Sequence, residues 1–264
     1  MDCEESDAST HHAPRITQHE LRRYARHAVL PEIGEAGQAK LLASSVLVIG
    51  AGGLGSAAIS YLAASGVGRI GVVEHDRVEL SNLQRQTMFE ESDIGRLKTE
   101  AVQDRLSEVN PACKLDMYPY KFTAENAASL IKPYDLVVDG SDNFDTRFTA
   151  HLACFTAQKT LIYAAISGFL AQVSTFKAHL GAPHPCYQCL IPDKPTFERN
   201  CAQEGIIGPL AGVAGSMQAL EAIKELLGIG ESLSGKILRM DMLNASIHIA
   251  ALPKDPACPI CSKH

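Results

Sequence analysis

The chain has 264 residues, 46% of them hydrophobic and 20% charged, a balance that suits one large α/β domain or two small ones. A formal net charge of -6 and a pI near 5.9 argue against a general nucleic-acid binder. Met1 to Thr10 is acidic and carries no apolar segment, so no secretory leader is expected. The longest apolar stretch, Ile206 to Leu220, is broken by Gly208, Pro209, Gly212 and Gly215 and falls short of the ~20 residues a membrane span needs. These features place the chain in a reducing cytosol, where paired thiols bind metal rather than form disulfides.

In chain order, residues 1 to 16 are polar and read as a disordered tail, leaving 17 to 264 as one domain. Gln18 to Val29 and Glu35 to Ala43 predict two short helices. Ser45 to Ile49 is a continuous apolar run ended by glycines, as a buried parallel strand should be. A helix over Gly55 to Ser65 and a strand over Arg69 to Val73 follow. Ile94 to Val109 predicts a helix stopped by Asn110-Pro111. Strands are expected at Lys114 to Tyr118, Leu136 to Asp139 and Leu161 to Ala165, with helices at Ala124 to Ile131 and Phe144 to Ala157 between them. This alternation predicts a Rossmann-like, doubly wound, mainly parallel sheet. From Ala171 the pattern changes: Gln172 to Lys177, Lys236 to Asp241 and Ser246 to Ala251 alternate, as antiparallel strands do. A Gly/Pro/Cys-rich loop, Pro183 to Gly208, precedes a helix over Leu210 to Leu227.

Gly50, Gly52, Gly53, Leu54 and Gly55 lie in a glycine-rich turn between the first strand and a helix. Such a turn lets a phosphate approach the backbone and the free N–H groups of the helix start. Glu74 stands at the end of the second strand, at the usual distance for a ribose ligand, with Asp76 placed to share that task. Ser81-Asn82-Leu83-Gln84-Arg85-Gln86, Lys98 and Ser141-Asp142-Asn143 also follow strand ends and should face the same rim. Arg85 and Lys98 suit a triphosphate, and Asp142 suits a magnesium ligand. Separately these residues are ordinary: Arg85 and Lys98 as solvated charges, Asp142 as a helix cap.

Cys186-Tyr-Gln-Cys189 and Cys258-Pro-Ile-Cys261 supply four thiolates for one tetrahedral zinc that would pin the C-terminal segment onto a distant loop. A redox pair would be single and would open a helix, and no helical pattern follows either pair. Cys113 and Cys154 read as core. Cys201 has polar and charged neighbours, and Arg199 close by favours its thiolate.

The glycine turn, the Ser-Asn-Leu-Gln-Arg-Gln hexapeptide, Lys98, Ser-Asp-Asn and the two Cys-x-x-Cys pairs together resemble the MoeB/ThiF/HesA family, bacterial relatives of ubiquitin-activating enzymes. The resemblance runs from about Leu21 to Cys261. It implies an ATP-dependent adenylyltransferase that activates the C-terminal glycine of a ubiquitin-like sulfur carrier and releases pyrophosphate. The carrier would belong to molybdopterin or thiamine biosynthesis, with a MoeB-like leaning. Carried over by position, Glu74 resembles the family's ribose ligand, where Asp is common. Asn82, Arg85 and Lys98 resemble its phosphate ligands, and Asp142 its magnesium ligand. Arg26, in Arg23-Tyr-Ala-Arg26, resembles an arginine that reaches the triphosphate of the partner subunit in a homodimer. Cys201 resembles a cysteine that in some members attacks the acyl-adenylate or takes part in sulfur transfer. Relatives that make their own persulfide carry a rhodanese domain after the second Cys pair, so a separate sulfur donor, a cysteine desulfurase or rhodanese, is expected. Two other readings compete: an NAD-dependent oxidoreductase on the same fold, and a non-catalytic scaffold for a ubiquitin-like partner.

Overall fold

Five of the expected strands become the parallel half of one eight-stranded sheet. The computed structural model describes residues 16–195 and 205–263. The strands are β1 (Ser45–Ile49), β2 (Arg69–Val73), β3 (Lys114–Tyr118), β4 (Leu136–Asp139), β5 (Thr160–Ser167), β6 (Leu170–Phe176), β7 (Lys236–Asp241) and β8 (Ser246–Ala251). Their order is β3-β2-β1-β4-β5-β6-β7-β8. The pairs from β3 to β5 are parallel and those from β5 to β8 antiparallel. The helices are α1 (Gln18–Arg23), α2 (Ala25–Ala28), α3 (Gly34–Ala43), α4 (Gly53–Ala64), α5 (Lys98–Val109), α6 (Ala124–Ile131), α7 (Phe144–Thr156), α8 (Tyr187–Leu190) and α9 (Gly208–Leu227).

Each central strand is apolar on both sides because both sides are covered. Val46, Val48, Ile70, Val72 and Val138 pack with Ile59 and Leu62 of α4, Val102 and Leu106 of α5, and Ala219 and Ala222 of α9. Leu47, Ile49, Val137 and Leu161 face the other way, onto Leu130 and Ile131 of α6 and Ala150 and Cys154 of α7. A third cluster joins Ala171 and Val173 of β6 and Leu238 and Met240 of β7 to Leu210 and Ala214 of α9. Thus α9 spans the seam between the two halves of the sheet. Its fully buried Gln218 fastens that seam, donating from Nε2 to the carbonyls of Asp139 (2.6 Å) and Ile162 (3.3 Å).

The departures from the sequence expectation have local causes. The helix expected over Gln18 to Val29 breaks at Tyr24 (φ -103°, ψ 23°), whose ring is buried and whose hydroxyl accepts from Asn110 Nδ2 at 2.8 Å. The helix expected from Ile94 starts only at Lys98, because Glu91–Asp93 forms a 3-10 turn and Gly95 takes φ +88°. The tail expected over residues 1 to 16 lies almost wholly outside the described residues. Among those described, no helix is long and apolar enough to cross a membrane.

Candidate functional site

The strand order reverses direction in the chain between β1 and β4, and the crevice at the C-terminal ends of those two strands is where an open α/β sheet binds its ligand. A cavity of about 900 Å³ opens there. Gly50 ends β1 at φ +88°, a left-handed turn that starts the loop into α4. The N-cap of α4 is Gly52, which offers no side-chain acceptor, so the first N–H groups of the helix remain for an anion. Gly50, Gly52, Gly53 and Leu54 line the cavity. Gly55 is not among its lining residues, and its contribution is to packing. A Cβ there would stand 2.0 Å from the Gly50 carbonyl oxygen, so only glycine lets α4 begin this close to the loop.

Beyond β2, Glu74 is buried and its carboxylate is held by backbone. Oε2 accepts from Ala51 N at 3.0 Å, and Oε1 accepts from His75 N at 2.7 Å and Asp76 N at 2.9 Å. This clasps the glycine loop to the end of β2 and leaves little free acceptor capacity. Asp76, by contrast, is 56% exposed on its side chain. Lys98, only 4% exposed, lies between them, with Nζ 3.3 Å from Asp76 Oδ2 and 4.0 Å from Glu74 Oε2. The hexapeptide packs across the mouth. Asn82 ends a 3-10 turn and accepts through Oδ1 from Glu79 N at 3.3 Å, while Arg85 Nη1 donates to the Ser81 carbonyl at 3.0 Å. Asn82, Arg85 and Lys98 all line the cavity with Glu74 and Asp76.

Asp142 and Asn143 complete the rim beyond β4. The cap of α7 is Asn143, whose Oδ1 accepts from Thr146 N at 2.9 Å. Asp142 is exposed and is not needed for capping. Its side chain accepts only a long hydrogen bond among the described residues, from Asn143 Nδ2 at 3.5 Å. Asp142 also belongs to no cluster of three donors among the described residues. That isolation suits Mg²⁺, which is held by one or two carboxylates plus phosphate oxygens. Arg26, on α2, is exposed and is not part of this cavity's lining. Cys201 and Arg199 lie outside the described residues.

The structure adds wall residues that the sequence reading passed over. Arg147 of α7 is buried beneath Ser141, to whose carbonyl Nη2 donates at 3.1 Å. Its guanidinium carbon sits 5.6 Å from the ring centroids of both Phe144 and Tyr163. Asp139 beside it is fully buried, and burial raises its carboxyl above the usual range although Arg147 opposes the shift. A charged residue in a helix reads as solvated, so nothing in the sequence pattern signals this arginine. Tyr120 to Phe122 close the β3 side, and Gln172, Arg239 and His248 extend the wall across β6, β7 and β8.

The second constellation is the thiol cluster. Cys186 Sγ is 3.9 Å from Cys189 and 3.4 Å from Cys258, and Cys189 Sγ is 3.5 Å from Cys261. All four sulfurs lie within 4.8 Å of one another. Four thiolates at ~2.3 Å from one zinc would stand about 3.8 Å apart, so the spacing fits. A disulfide needs ~2.05 Å. Burial pushes the Cys261 thiol up to about 12 and raises Cys186 as well. Cys258 is lowered instead, burial being outweighed by its backbone hydrogen bonds with Cys261 and Ile260, and a cation among the four would favour the thiolates of Cys186 and Cys261. Contrary to the sequence expectation, Cys186 does open a helix, the single turn α8. The turn is too short to show a period, and its thiol meets Cys258 more closely than Cys189. Cys113 and Cys154 are buried core thiols, raised by burial, Cys113 to about 11.

Comparison with known proteins agrees with this geometry. The ThiF family profile matches residues 24–260. A sulfur carrier protein adenylyltransferase of Thermus thermophilus is 45% identical over 251 residues, covering 94% of this chain and 93% of that one. The adenylyltransferase and sulfurtransferase MOCS3 of Anopheles gambiae is 40% identical over 94% of this chain, which spans 56% of that longer protein. In fold, the chain superposes on E. coli MccB, crystallised with MccA-N7isoASN, at a TM-score of 0.80 and 23% identity, covering 91% of this chain and 74% of MccB.

Proposed function

The chain belongs to the ThiF family, and from that premise we propose that it uses ATP to adenylate the C-terminal glycine of a ubiquitin-like sulfur carrier. It is a nucleotidyltransferase. The observation that carries the reading is the gathering of Arg85, Lys98 and Asp142 around one cavity with the glycine loop. A dinucleotide oxidoreductase would leave all three without a ligand.

The nucleophile is the carrier's terminal carboxylate. With a pKa of about 3.3–3.7 it is ionised at neutral pH, so no general base is required. A carboxylate oxygen bonds to the α-phosphorus, the bond from that phosphorus to the bridging oxygen breaks, and its electron pair leaves with pyrophosphate. No proton moves. The residues must therefore bring two anions together and hold the charge that develops on the leaving group. The α4 N-terminus and the loop Gly50 to Gly53 cradle phosphate. Glu74 supports the ribose hydroxyls, with Asp76 sharing the task from its more open position, and Glu74 also holds the loop in shape. Lys98 exchanges Asp76 for the polyphosphate, and Arg85 and Asn82 flank it. A magnesium ion held at Asp142 would supply further positive charge to the phosphate oxygens. Arg26 reaches the partner's nucleotide in a homodimer. A zinc ion at Cys186, Cys189, Cys258 and Cys261 would serve the fold, away from the reacting atoms. Cys201 takes part after adenylation.

The work is done in the cytoplasm by residues 17 to 264 as one adenylating domain, with sulfur supplied by a desulfurase or rhodanese. The carrier is that of molybdopterin or thiamine biosynthesis. Pyrophosphate release against a panel of purified sulfur carriers tests this. One carrier should stimulate release strongly. Tight NAD binding without any carrier-stimulated release would overturn the proposal.

A further inference from the structure

The cavity is longer than the nucleotide site within it. Its lining runs from Glu74 beyond β2 to His248 on β8, so it crosses the strands β2-β1-β4-β5-β6-β7-β8. That is roughly 29 Å at ~4.8 Å per strand. The groups assigned to ATP occupy the ends of β2, β1 and β4, with the hexapeptide and Lys98 over them. The stretch over β5 to β8 has a different character. Ala165, Gln172, Arg239 and His248 are direct cross-strand partners, so they form one row on one face of the sheet, and all four line the cavity. Gln172 is fixed by donating from Nε2 to the Tyr163 hydroxyl at 2.8 Å. His248 Nε2 lies 2.5 Å from Ser246 Oγ.

Arg239 stands in the middle of this row, exposed, and its guanidinium makes no hydrogen bond or ion pair to any described residue. The nearest acid on its own strand face, Asp241, is already engaged. It accepts from Asn244 N at 3.2 Å and from Asn244 Nδ2 at 2.8 Å, closing the β7–β8 turn. In a chain of net charge -6, a guanidinium that no described residue compensates stands against the overall balance on this cavity wall. Arginine in such a position suits a carboxylate, which it can grip with two parallel N–H donors.

We propose that the row centred on Arg239, with Gln172 and His248 at its sides, binds a carboxylate side chain of the carrier at the base of its C-terminal tail. The inference rests on the adenylation reading and adds to it the charge that the enzyme selects. Three strand spacings separate β4, where Asp142 marks the reacting end, from β7. That is about 14 Å, which an extended chain covers in roughly four residues. The recognised acid therefore lies about four or more residues before the terminal glycine. The reacting carboxylate is common to every carrier, so discrimination between carriers must come from contacts of this kind, upstream of the chemistry.

The test uses the full chain and a purified sulfur carrier that supports ATP–pyrophosphate exchange with the unaltered enzyme. Arg239→Gln should raise KM for the carrier about tenfold, the scale of one charge-assisted hydrogen bond, with kcat at saturating carrier within about twofold. Arg239→Glu should raise KM further, and a carrier whose acid at the base of the tail is changed to Lys should recover much of the loss. Unchanged thermal shift with ATP shows that both variants are folded. Unaltered KM in both variants overturns the assignment, and so does a rise in KM that no charge reversal on the carrier relieves. If the unaltered chain exchanges with no carrier at all, adenylation itself falls, and this inference with it.

Discussion

Asp142 and Asn143 are neighbours with separate duties. Asn143 caps α7, so Asn143→Ala should cost about 1 kcal/mol of stability, read from urea denaturation. Asp142 caps nothing, so Asp142→Ala should leave the denaturation midpoint in place. If it anchors the metal, the same change should reduce carrier-dependent exchange by about 10²-fold or more. Near-normal exchange would mean that this exposed carboxylate is not a metal anchor. Cys201→Ala should still release pyrophosphate while losing any covalent link to the carrier, as gel analysis under non-reducing conditions would report. Completed sulfur transfer in that variant would make the thiol a bystander. The residues legible in the sequence were those whose position just beyond a strand end already implies a shared rim, Glu74 and Asp142; Lys98 reaches that rim as the first residue of α5. Two roles were not legible. The clasp formed by Glu74 depends on three backbone N–H groups that converge only in the folded loop. Arg147 owes its burial to Phe144, Tyr163 and Asp139, which no local pattern connects.

At the scale of elements, the proposed zinc staple has a consequence for the site. The chain leaving Cys189 carries Ile191 and Pro195 into the cavity wall. Tyr187, inside the same turn, packs its ring 5.2 Å from that of Tyr163, which also lines the cavity. Metal analysis of protein purified without chelators should find one zinc per chain, and its absence would remove the staple. Cys258→Ser should lower thermal stability and raise KM for the carrier more than it weakens ATP binding. Equal loss of both would place the knuckle in the nucleotide site instead. Most elements were readable because periodicity and stop signals agree. β1, β2 and β4 follow largely apolar runs, and β7 and β8 alternate about a short turn. The errors arose where tertiary contact overrode local preference. Tyr24 broke a helix to reach Asn110, and α8 is a single turn imposed by the thiol cluster.

For the whole molecule, the unplaced residue is Arg26, which sits on an exposed turn of helix remote in sequence from the glycine loop. In the proposed homodimer it completes a neighbour's site, so mixing inactive Arg26→Ala chains with inactive Asp142→Ala chains should restore one working site per mixed pair. Subunit exchange without recovered exchange activity, or an active species that sediments as a monomer, would rule this out. The wide separation of the cysteine pairs adds a dimension of time. Cys258 lies 72 residues downstream of Cys186, its closest thiol partner. A ribosome delivers the glycine loop, Lys98 and Asp142 first, then one half of the zinc site, and only much later the other half. A nascent chain therefore completes its catalytic wall before it can be cross-linked by metal. Were zinc to bind the four thiols, its capture would close biosynthesis as a last checkpoint, and a cell short of zinc would accumulate chains that bind nucleotide yet never lock.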